Sequence, residues 1–125
     1  MTDVRVVDAS ALAALLFGEP EAEAIAARLG NARLVAPTLM PYELANVCVV
    51  KCRRHPGERD ALLAAFGMRT KLRVEEVAVD HRAALTLALA SGLTLYDASY
   101  LWLARELAAD LVTLDRQLER AAALR

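Results

Sequence analysis

Hydrophobic and polar residues divide the chain into two kinds of segment. Four short runs are apolar, rich in β-branched residues or alternating in polarity, which predicts β-strands. The segments between them begin at Pro, Thr or Asp or end at Gly, as helices do. The predicted strands are Val4–Asp8, Arg33–Ala36, Arg73–Val79 and Asp110–Leu114. The predicted helices are Ala11–Phe17, Pro20–Leu29, Thr38–His55, Glu58–Lys71, Asp80–Ser91, Asp97–Ala109 and Asp115–Arg125.

The order of these elements predicts an α/β fold. Strands that alternate with helices form a mostly parallel central sheet flanked by helices, an α/β/α sandwich. The chain has 125 residues, and it contains no repeat, linker or low-complexity tract. We therefore expect one domain over residues 1–125. Ligands of such sheets bind outside the carboxyl ends of the strands.

Four carboxylates lie in or directly beside apolar segments: Asp8, Glu43, Asp97 and Asp115. Asp and Glu are rarely buried unless they are paired or bound to a metal. Asp8 and Asp115 come at the carboxyl ends of predicted strands. Glu43 and Asp97 lie in the first turns of helices that follow connections. All four can therefore meet at one edge of the sheet, where they would form an acidic pocket.

A pocket of several carboxylates has a defined chemistry. Two like charges about 4 Å apart repel by about 4 kcal/mol at an effective dielectric constant of ~20. Such a pocket either takes up protons or binds cations. Because the acidic motifs contain no His or Cys, their oxygen ligands favour Mg²⁺ or Mn²⁺ over zinc. An ion of this kind can activate water and neutralise charge on a phosphoryl oxygen, so the cluster predicts phosphodiester hydrolysis.

Each carboxylate also has a simpler interpretation. Asp8, Asp97 and Asp115 could each cap the helix that follows, and Glu43 could interact with a helix dipole. Any one of them alone is weak evidence for a site. Four of them in apolar surroundings, on elements that share one edge, favour a common site.

Composition restricts the possible environments and partners. Hydrophobic residues make up 57% of the chain, which favours helices and leaves apolar surface for a partner, so we expect a homodimer. No apolar run approaches the ~20 residues that a membrane span needs. The N-terminus has neither a basic leader nor a cleavage site, which predicts a cytoplasmic protein.

The charge of the chain is unevenly distributed. The net charge of −1 gives no overall attraction to nucleic acid. Residues 51–73 nevertheless contain seven basic and two acidic residues, whereas both flanking regions are acidic. This basic segment could guide a polyanion to the protein, or it could be a solvated helical surface.

The four acidic motifs resemble those of PIN-domain ribonucleases. They read Val-Val-Asp8-Ala-Ser-Ala, Pro-Tyr-Glu43-Leu-Ala-Asn-Val, Leu-Tyr-Asp97-Ala-Ser-Tyr-Leu-Trp-Leu-Ala and Leu-Val-Thr-Leu-Asp115. More narrowly, the chain resembles VapC-type toxins of bacterial toxin–antitoxin pairs, in motif order and in total length. One motif such as Asp-Ala-Ser is unspecific, but four in order are specific.

This resemblance implies a PIN-like α/β/α sandwich and an endoribonuclease that depends on Mg²⁺ or Mn²⁺ and cuts structured RNA such as tRNA or rRNA. It also implies inhibition by a cognate antitoxin, for which surplus apolar surface would provide a groove. By motif match, the catalytic and metal-binding residues are Asp8, Glu43, Asp97 and Asp115. The supporting residues are the hydroxyl-bearing Ser10 and Thr113, and Asn46, which follows Glu43 by one helical turn.

Three other interpretations remain open. Cys48, Cys52 and His55 share a helix face that could hold zinc, although no fourth ligand is evident and Cys is commonly a small core residue. A phosphotransfer domain also places an Asp after a strand, but this chain lacks an acidic neighbour of Asp8 and a suitably placed lysine. A PIN scaffold that binds partners without catalysis is the third alternative. The stripe around Trp102 indicates core or dimer contact rather than base stacking.

Overall fold

Four parallel strands form the central sheet of the computed structural model, which describes residues 3–124. They are β1 (Val4–Val7), β2 (Arg33–Pro37), β3 (Glu75–Val77) and β4 (Asp110–Val112). Their order is β3–β2–β1–β4, and every neighbouring pair is parallel. β1 therefore lies inside the sheet, and its carboxyl end opens beside those of β2 and β4.

Seven α-helices connect and cover the strands. They are α1 (Ala9–Leu16), α2 (Ala22–Leu29), α3 (Met40–Arg54), α4 (Arg59–Gly67), α5 (His81–Ser91), α6 (Leu95–Glu106) and α7 (Arg116–Ala123). Two short 3₁₀ segments, Pro56–Glu58 and Met68–Leu72, flank α4. None of the helices within residues 3–124 combines the length and the apolar character needed to cross a membrane.

The strand order divides the helices between the two faces of the sheet. The chain moves from β1 to β2 to β3 in one direction, and it then returns across the sheet to β4. Because parallel crossovers are right-handed, α1 to α4 cover one face and α5 and α6 cover the other. The packing agrees, since α1 contacts α2 and α3, whereas α6 contacts α5 and α7. The predicted α/β/α sandwich with a parallel sheet is confirmed.

The core is centred on β1 and α6. Val6 and Val7 of β1 have no exposed surface, and Tyr100 and Leu101 of α6 are 1% exposed. Burying an aliphatic side chain of this size stabilises the fold by about 1.5–3 kcal/mol. The segments that carry the acidic motifs therefore pack into the best-buried part of the molecule.

Two predicted helix starts are wrong. Thr38 does not cap α3; its N–H donates to Val77 O at 3.2 Å and continues the pairing of β2 with β3. The residue before α3 is Leu39, whose side chain forms no capping hydrogen bond. Asp97 does not begin α6 either, because Thr94 caps that helix by accepting a hydrogen bond from Asp97 N at 3.1 Å.

The predicted helix Glu58–Lys71 is interrupted. Its regular part is α4, and both of its ends are 3₁₀ segments. No residue of α4 is fully buried, and only its partly buried side chains, such as Phe66, pack on the core; this limited burial allows both ends of the segment to adopt 3₁₀ geometry. By contrast, the predicted bounds of α5 are confirmed: the Asp80 side chain accepts from Ala83 N, and Gly92 follows the last turn with φ +72°.

The remaining boundaries differ from the prediction by a few residues. α1 begins two residues early because Asp8 caps it directly, and α2 begins at Ala22, two residues after Pro20. β3 is shorter than predicted, as is common for a strand at the edge of a sheet. The predicted end of the last helix, Arg125, lies outside the described residues.

Candidate active site

Asp8 is a buried carboxylate at the carboxyl end of β1, with 5% of its surface exposed. Its Oδ1 accepts hydrogen bonds from Ala11 N at 3.0 Å and from Ser10 Oγ at 2.7 Å. Its Oδ2 accepts from Thr113 Oγ1 at 2.6 Å. Asp8 therefore caps α1, and the same hydrogen bonds fix the orientation of its side chain.

Ser10 and Thr113 tie the ends of β1 and β4 together. Thr113 is 1% exposed, and its Oγ1 accepts from Asp115 N at 2.9 Å while it donates to Asp8. Ser10 Oγ accepts from Leu114 N at 3.0 Å. Both predicted hydroxyl groups thus lie against Asp8. Their hydrogen bonds to Leu114 N and Asp115 N also position the turn that leads to Asp115.

Glu43 lies in the first turn of α3 and is half-buried. Its Oε1 accepts a hydrogen bond from the Tyr100 hydroxyl at 2.8 Å. Tyr100 belongs to α6, so this bond crosses from the helices on one face of the sheet to those on the other. It fixes one oxygen of Glu43.

Asp97 lies in the first turn of α6, where its main-chain N–H donates to Thr94 Oγ1. Its half-buried carboxylate accepts no hydrogen bond from the part of the chain that the structure describes. Both of its oxygens therefore stay available to a ligand. The first-turn position also directs the positive end of the helix dipole towards it, which favours the charged form.

Asp115 is the N-cap of α7, since its Oδ1 accepts from Leu118 N at 2.9 Å. It is exposed, in contrast to Asp8. The predicted start of the last helix is confirmed. Asp115 therefore caps a helix, and this does not prevent it from having a second role. One carboxylate oxygen is used in the cap and the other is not.

The four carboxylates influence one another electrostatically. Burial raises the pKa of Asp8, Glu43 and Asp97 above the ordinary values of Asp and Glu. The charge of Asp115 raises the pKa of Asp8 and of Asp97 further. The charges of Asp97 and Asp8 do the same to Glu43. All four side chains therefore belong to one electrostatic cluster at the carboxyl edge of the sheet.

The chemistry of this cluster suits a divalent cation. Its available donors are carboxylate oxygens, the ligands that Mg²⁺ and Mn²⁺ prefer. A cation would also reverse the upward pKa shifts, because it stabilises the charged forms. Within residues 3–124, however, no three His, Cys, Asp or Glu side chains are arranged so that they could hold a metal ion. The four carboxylates match a divalent cation in the type of their donor atoms and in their charge.

Two residues of this site were missed in the sequence. Tyr100 holds Glu43, and Thr94 caps the helix that carries Asp97. Tyr100 follows Asp97 by three residues, a spacing that places both on one face of a helix and could have indicated its position. For Thr94, the signal was a Thr three residues before an acidic residue, which is typical of a helix start.

Asn46 is the predicted site residue that the structure does not join to the others. It lies on α3, one turn after Glu43, but it is exposed. Its side chain forms no hydrogen bond within residues 3–124. Its supporting role therefore remains a prediction from the motif.

Cys48, Cys52 and His55 do not form a metal site. Cys48 is buried, burial raises the pKa of its thiol, and its Sγ donates to Leu62 O at 3.7 Å. His55 is exposed and lies 3.6 Å from a Glu58 oxygen. No cluster of three such ligands exists in the described part of the chain. Cys48 is thus a packing residue.

Two basic side chains of the segment 51–73 interact with other residues of the protein. Lys51 pairs with Glu19 and lies over the ring of Phe17 at 5.5 Å. Arg69 lies over the ring of Phe66 at 5.2 Å. The other basic side chains of the segment are exposed, so a smaller positive surface remains than the sequence indicates.

Fold and site together define a small α/β/α protein with an acidic cluster at the carboxyl edge of a parallel sheet. The family model described as the PIN domain matches residues 5–124. The chain therefore belongs to the PIN-domain family, as the acidic motifs predict.

Relatives and solved structures support the same assignment. The chain is 38% identical over 118 residues to Ribonuclease VapC3 of Pyrobaculum aerophilum, covering 90% of each protein. The crystal structure of PAE2754 from the same organism superposes with a TM-score of 0.75 at 28% identity, over 94% of this chain and 84% of that one. The Mycobacterium tuberculosis toxin VapC20, which cleaves the sarcin-ricin loop, superposes with a TM-score of 0.65 over 94% of each chain. At 18% identity, VapC20 supports the fold alone.

Proposed function

We propose that this protein is a VapC-type toxin, an endoribonuclease that hydrolyses phosphodiester bonds in structured RNA such as tRNA or rRNA in the cytoplasm. The similarity to Ribonuclease VapC3 supports the class of reaction. The observation that carries the proposal is the burial or half-burial of Asp8, Glu43 and Asp97 with no salt bridge to any of them within residues 3–124, so that burial disfavours their charged forms. Such a cluster serves a cation-dependent reaction better than it serves stability.

The proposed roles follow from how each side chain is held. Asp8 is immobilised by three hydrogen bonds, so it would provide a fixed ligand. Asp97 has both oxygens available, and Glu43 has one fixed by Tyr100 and one available. Asp115 would complete the set with the oxygen that its helix cap does not use. Ser10 and Thr113 would keep Asp8 oriented, as residues behind metal ligands commonly do.

Mg²⁺ or Mn²⁺ is the proposed cofactor. Asp8, Glu43, Asp97 and Asp115 would hold it after their side chains move closer together, since no three of them are arranged as a metal site within residues 3–124. Such an ion would neutralise charge on a phosphoryl oxygen and lower the pKa of the attacking water. The protein's own contribution would be to keep the carboxylates ionised and in place. Without a cation these residues would also repel the RNA backbone, so the cofactor would be needed for substrate binding as well as for catalysis.

An antitoxin is the proposed protein partner, and a groove between α3 and α4 is its proposed binding site. This cavity has a volume of about 610 Å³. Its apolar lining includes Ala45, Cys48, Val49, Leu63 and Phe66. Arg53 and Arg59 also line it, so it would accept a segment that combines apolar and acidic residues. Val49→Glu should weaken the complex in a pull-down with the cognate antitoxin, whereas Ala27→Glu, at an exposed position of α2, should not.

A homodimer through the exposed face of α5 is also proposed. Leu85 is 52% exposed and Leu89 is 80% exposed on this helix. A contact with two-fold symmetry would bury these leucines of both protomers against each other. Light scattering at micromolar concentration should report twice the mass of one chain, and Leu89→Glu should reduce it to a monomer. A monomeric wild-type protein would contradict the dimer.

Cleavage of total bacterial RNA tests the nuclease. Purified wild-type protein would be incubated with RNA in Mg²⁺, in Mn²⁺ and in EDTA, beside Asp8→Asn and the control Asp60→Asn, which changes an exposed residue of α4. Discrete fragments that require the metal, persist in Asp60→Asn and vanish in Asp8→Asn are expected. Full activity of a folded Asp8→Asn protein would refute the proposed role of Asp8. Absence of cleavage by a wild-type protein that still binds Mn²⁺ and antitoxin would favour the non-catalytic scaffold.

A further inference from the structure

A second cavity, of about 950 Å³, lies along β4, an edge strand of the sheet. Arg5 of β1 is paired in register with Asp110, the first residue of β4, and both line this cavity. Leu111 and Val112 of β4 line it as well, so the cavity follows this strand along its whole length, and neither Asp8 nor Asp115 belongs to its lining. The C-terminal parts of α6 and α7 form its other walls.

Three arginines line the cavity, and one of them, Arg5, pairs with Asp3. Arg28 Nη2 donates to Leu111 O at 3.5 Å, and Arg105 Nη2 donates to Leu124 O at 3.1 Å. Neither forms a salt bridge within residues 3–124. A guanidinium carries several N–H donors in a planar fork, so most donors of both side chains remain free. These backbone contacts hold the two side chains at the cavity without neutralising their charge.

Carboxylates and small apolar residues complete the lining. Asp110 and Glu119 are exposed carboxylates at the cavity and could accept hydrogen bonds from a ligand. Short side chains make the apolar wall: Ala104, Ala108, Ala109, Ala122 and Ala123. Ala108 has φ +49° because it ends α6 in a left-handed cap, in which Ala109 N donates to Ala104 O at 2.9 Å. The cavity thus offers positive donors, negative acceptors and a smooth apolar wall.

We propose that this cavity binds a nucleoside phosphate. Arg28 and Arg105 would bind the phosphate, because guanidinium groups match phosphate oxygens in pairs. Asp110 or Glu119 would accept hydrogen bonds from sugar hydroxyls, and the base would lie against the alanine wall. A simple anion would gain nothing from the two carboxylates, whereas a nucleoside phosphate uses both kinds of partner. The volume lies within the ~300–1,000 Å³ typical of small-molecule sites.

The nucleoside phosphate could be a free nucleotide or part of an RNA strand, and the two sources can be separated. Isothermal titration calorimetry of the full-length protein would use adenosine monophosphate, adenosine and inorganic phosphate. A short single-stranded RNA would be titrated separately in EDTA, so that it is not cut. The variants are Arg28→Gln and Arg105→Gln, and the control is Arg82→Gln, which changes an exposed arginine of α5. Circular dichroism would verify that each variant is folded.

Adenosine monophosphate should bind saturably, and each cavity variant should weaken it by at least about tenfold, the effect of losing ~1.4 kcal/mol of charge-assisted hydrogen bonding. Adenosine should bind at least about tenfold more weakly for the same reason. Binding of RNA alone, weakened by the same two variants, would identify the strand as the source. The proposal is overturned if neither ligand binds, if adenosine binds as tightly as its phosphate, or if Arg82→Gln has the same effect as the cavity variants. Because binding is measured without cleavage, these outcomes are independent of the nuclease.

Discussion

The Tyr100 hydroxyl donates a hydrogen bond to Glu43 Oε1 at 2.8 Å and thereby connects α6 to α3. Tyr100 is 1% exposed. Burial, together with the adjacent charge of Glu43, raises the pKa of Tyr100 far above its ordinary value, so the phenol keeps its proton at any working pH. Burial raises the pKa of Glu43, and the hydrogen bond from Tyr100 lowers it. A neutral donor from the core thus orients one of the acidic side chains and helps to keep it charged.

Tyr100→Phe should damage the site while keeping the fold. The ring still fills its space in the core, but Glu43 loses a hydrogen bond, which costs about 1.5–3 kcal/mol when one partner is charged. We expect a lower melting temperature and RNA cleavage reduced several-fold. Tyr96→Phe is the matched control, since Tyr96 is on the same helix and 60% exposed. Equal activity of the two variants would show that the bond does not orient Glu43 for the reaction.

Thr113→Val should change the pH dependence of cleavage. The hydrogen bond from Thr113 lowers the pKa of Asp8 against the effect of burial, so its loss should raise that pKa. Because protons compete with the metal ion for Asp8, the acidic limb of the pH–rate profile, measured at a metal concentration below saturation, should move to higher pH. The N–H of Asp115 also loses its acceptor, and we expect about 1–3 kcal/mol of lost stability by urea unfolding. An unmoved acidic limb would contradict this account.

The control for that variant is Thr86→Val, which removes a hydroxyl that donates to Arg82 O on the exposed side of α5. It should leave both the pH–rate profile and the activity unchanged. A similar shift in the two variants would indicate a general effect of losing a threonine hydroxyl.

Asp97→Asn should stabilise the metal-free protein near neutral pH. Burial and the charges of Asp115 and Asp8 raise the pKa of Asp97 above 3.8, the ordinary value. The folded state therefore binds this proton more tightly, and its stability falls as the pH rises from the unfolded pKa through the folded one. The amide removes this penalty, so the variant should melt a few degrees above wild type at about pH 7. The difference should vanish at about pH 3, where Asp97 of the wild-type protein is protonated in both the folded and the unfolded state.

Metal binding should reverse that order of stability. A ligand that binds the folded state alone stabilises it by about 2.7 kcal/mol at a concentration of ~100 times its Kd. Differential scanning fluorimetry with Mn²⁺ should raise the melting temperature of wild type more than that of Asp97→Asn, and EDTA should restore the metal-free order. Equal responses of the two proteins would exclude Asp97 as a ligand. Asp60→Asn should behave as wild type throughout.

The local elements of this fold could be predicted because their signals are contained in short stretches of sequence. The apolar run of β1, the Asp80 cap of α5 and the Gly92 that ends it require only a few neighbouring residues. The alternation of strands and helices then predicts a parallel sheet, and parallel strands bring their carboxyl ends to one edge. That reasoning also placed the four acidic residues together, since each lies beside a strand end or a helix start.

The start of α6 was mispredicted because two residues compete for the same role. Thr94 and Asp97 both favour a helix cap, and only the path of the chain into the helix decides between them. Thr94 takes the cap, which leaves the carboxylate of Asp97 free for the site. The 3₁₀ segments around α4 were likewise not predicted, because how deeply that helix is buried depends on the tertiary packing.

The sequence by itself determined the class of fold and the acidic residues, because hydrophobic periodicity, caps and motifs are local properties. Only the tertiary structure decided which groups hold those acids. The bond from Thr113 to Asp8 joins residues 105 positions apart, and the bond from Tyr100 to Glu43 joins residues 57 apart. The tertiary structure also brings Arg28 and Arg105, which belong to separate helices, to one cavity. Such pairings depend on the order of strands and the packing of helices, which no short stretch of sequence specifies.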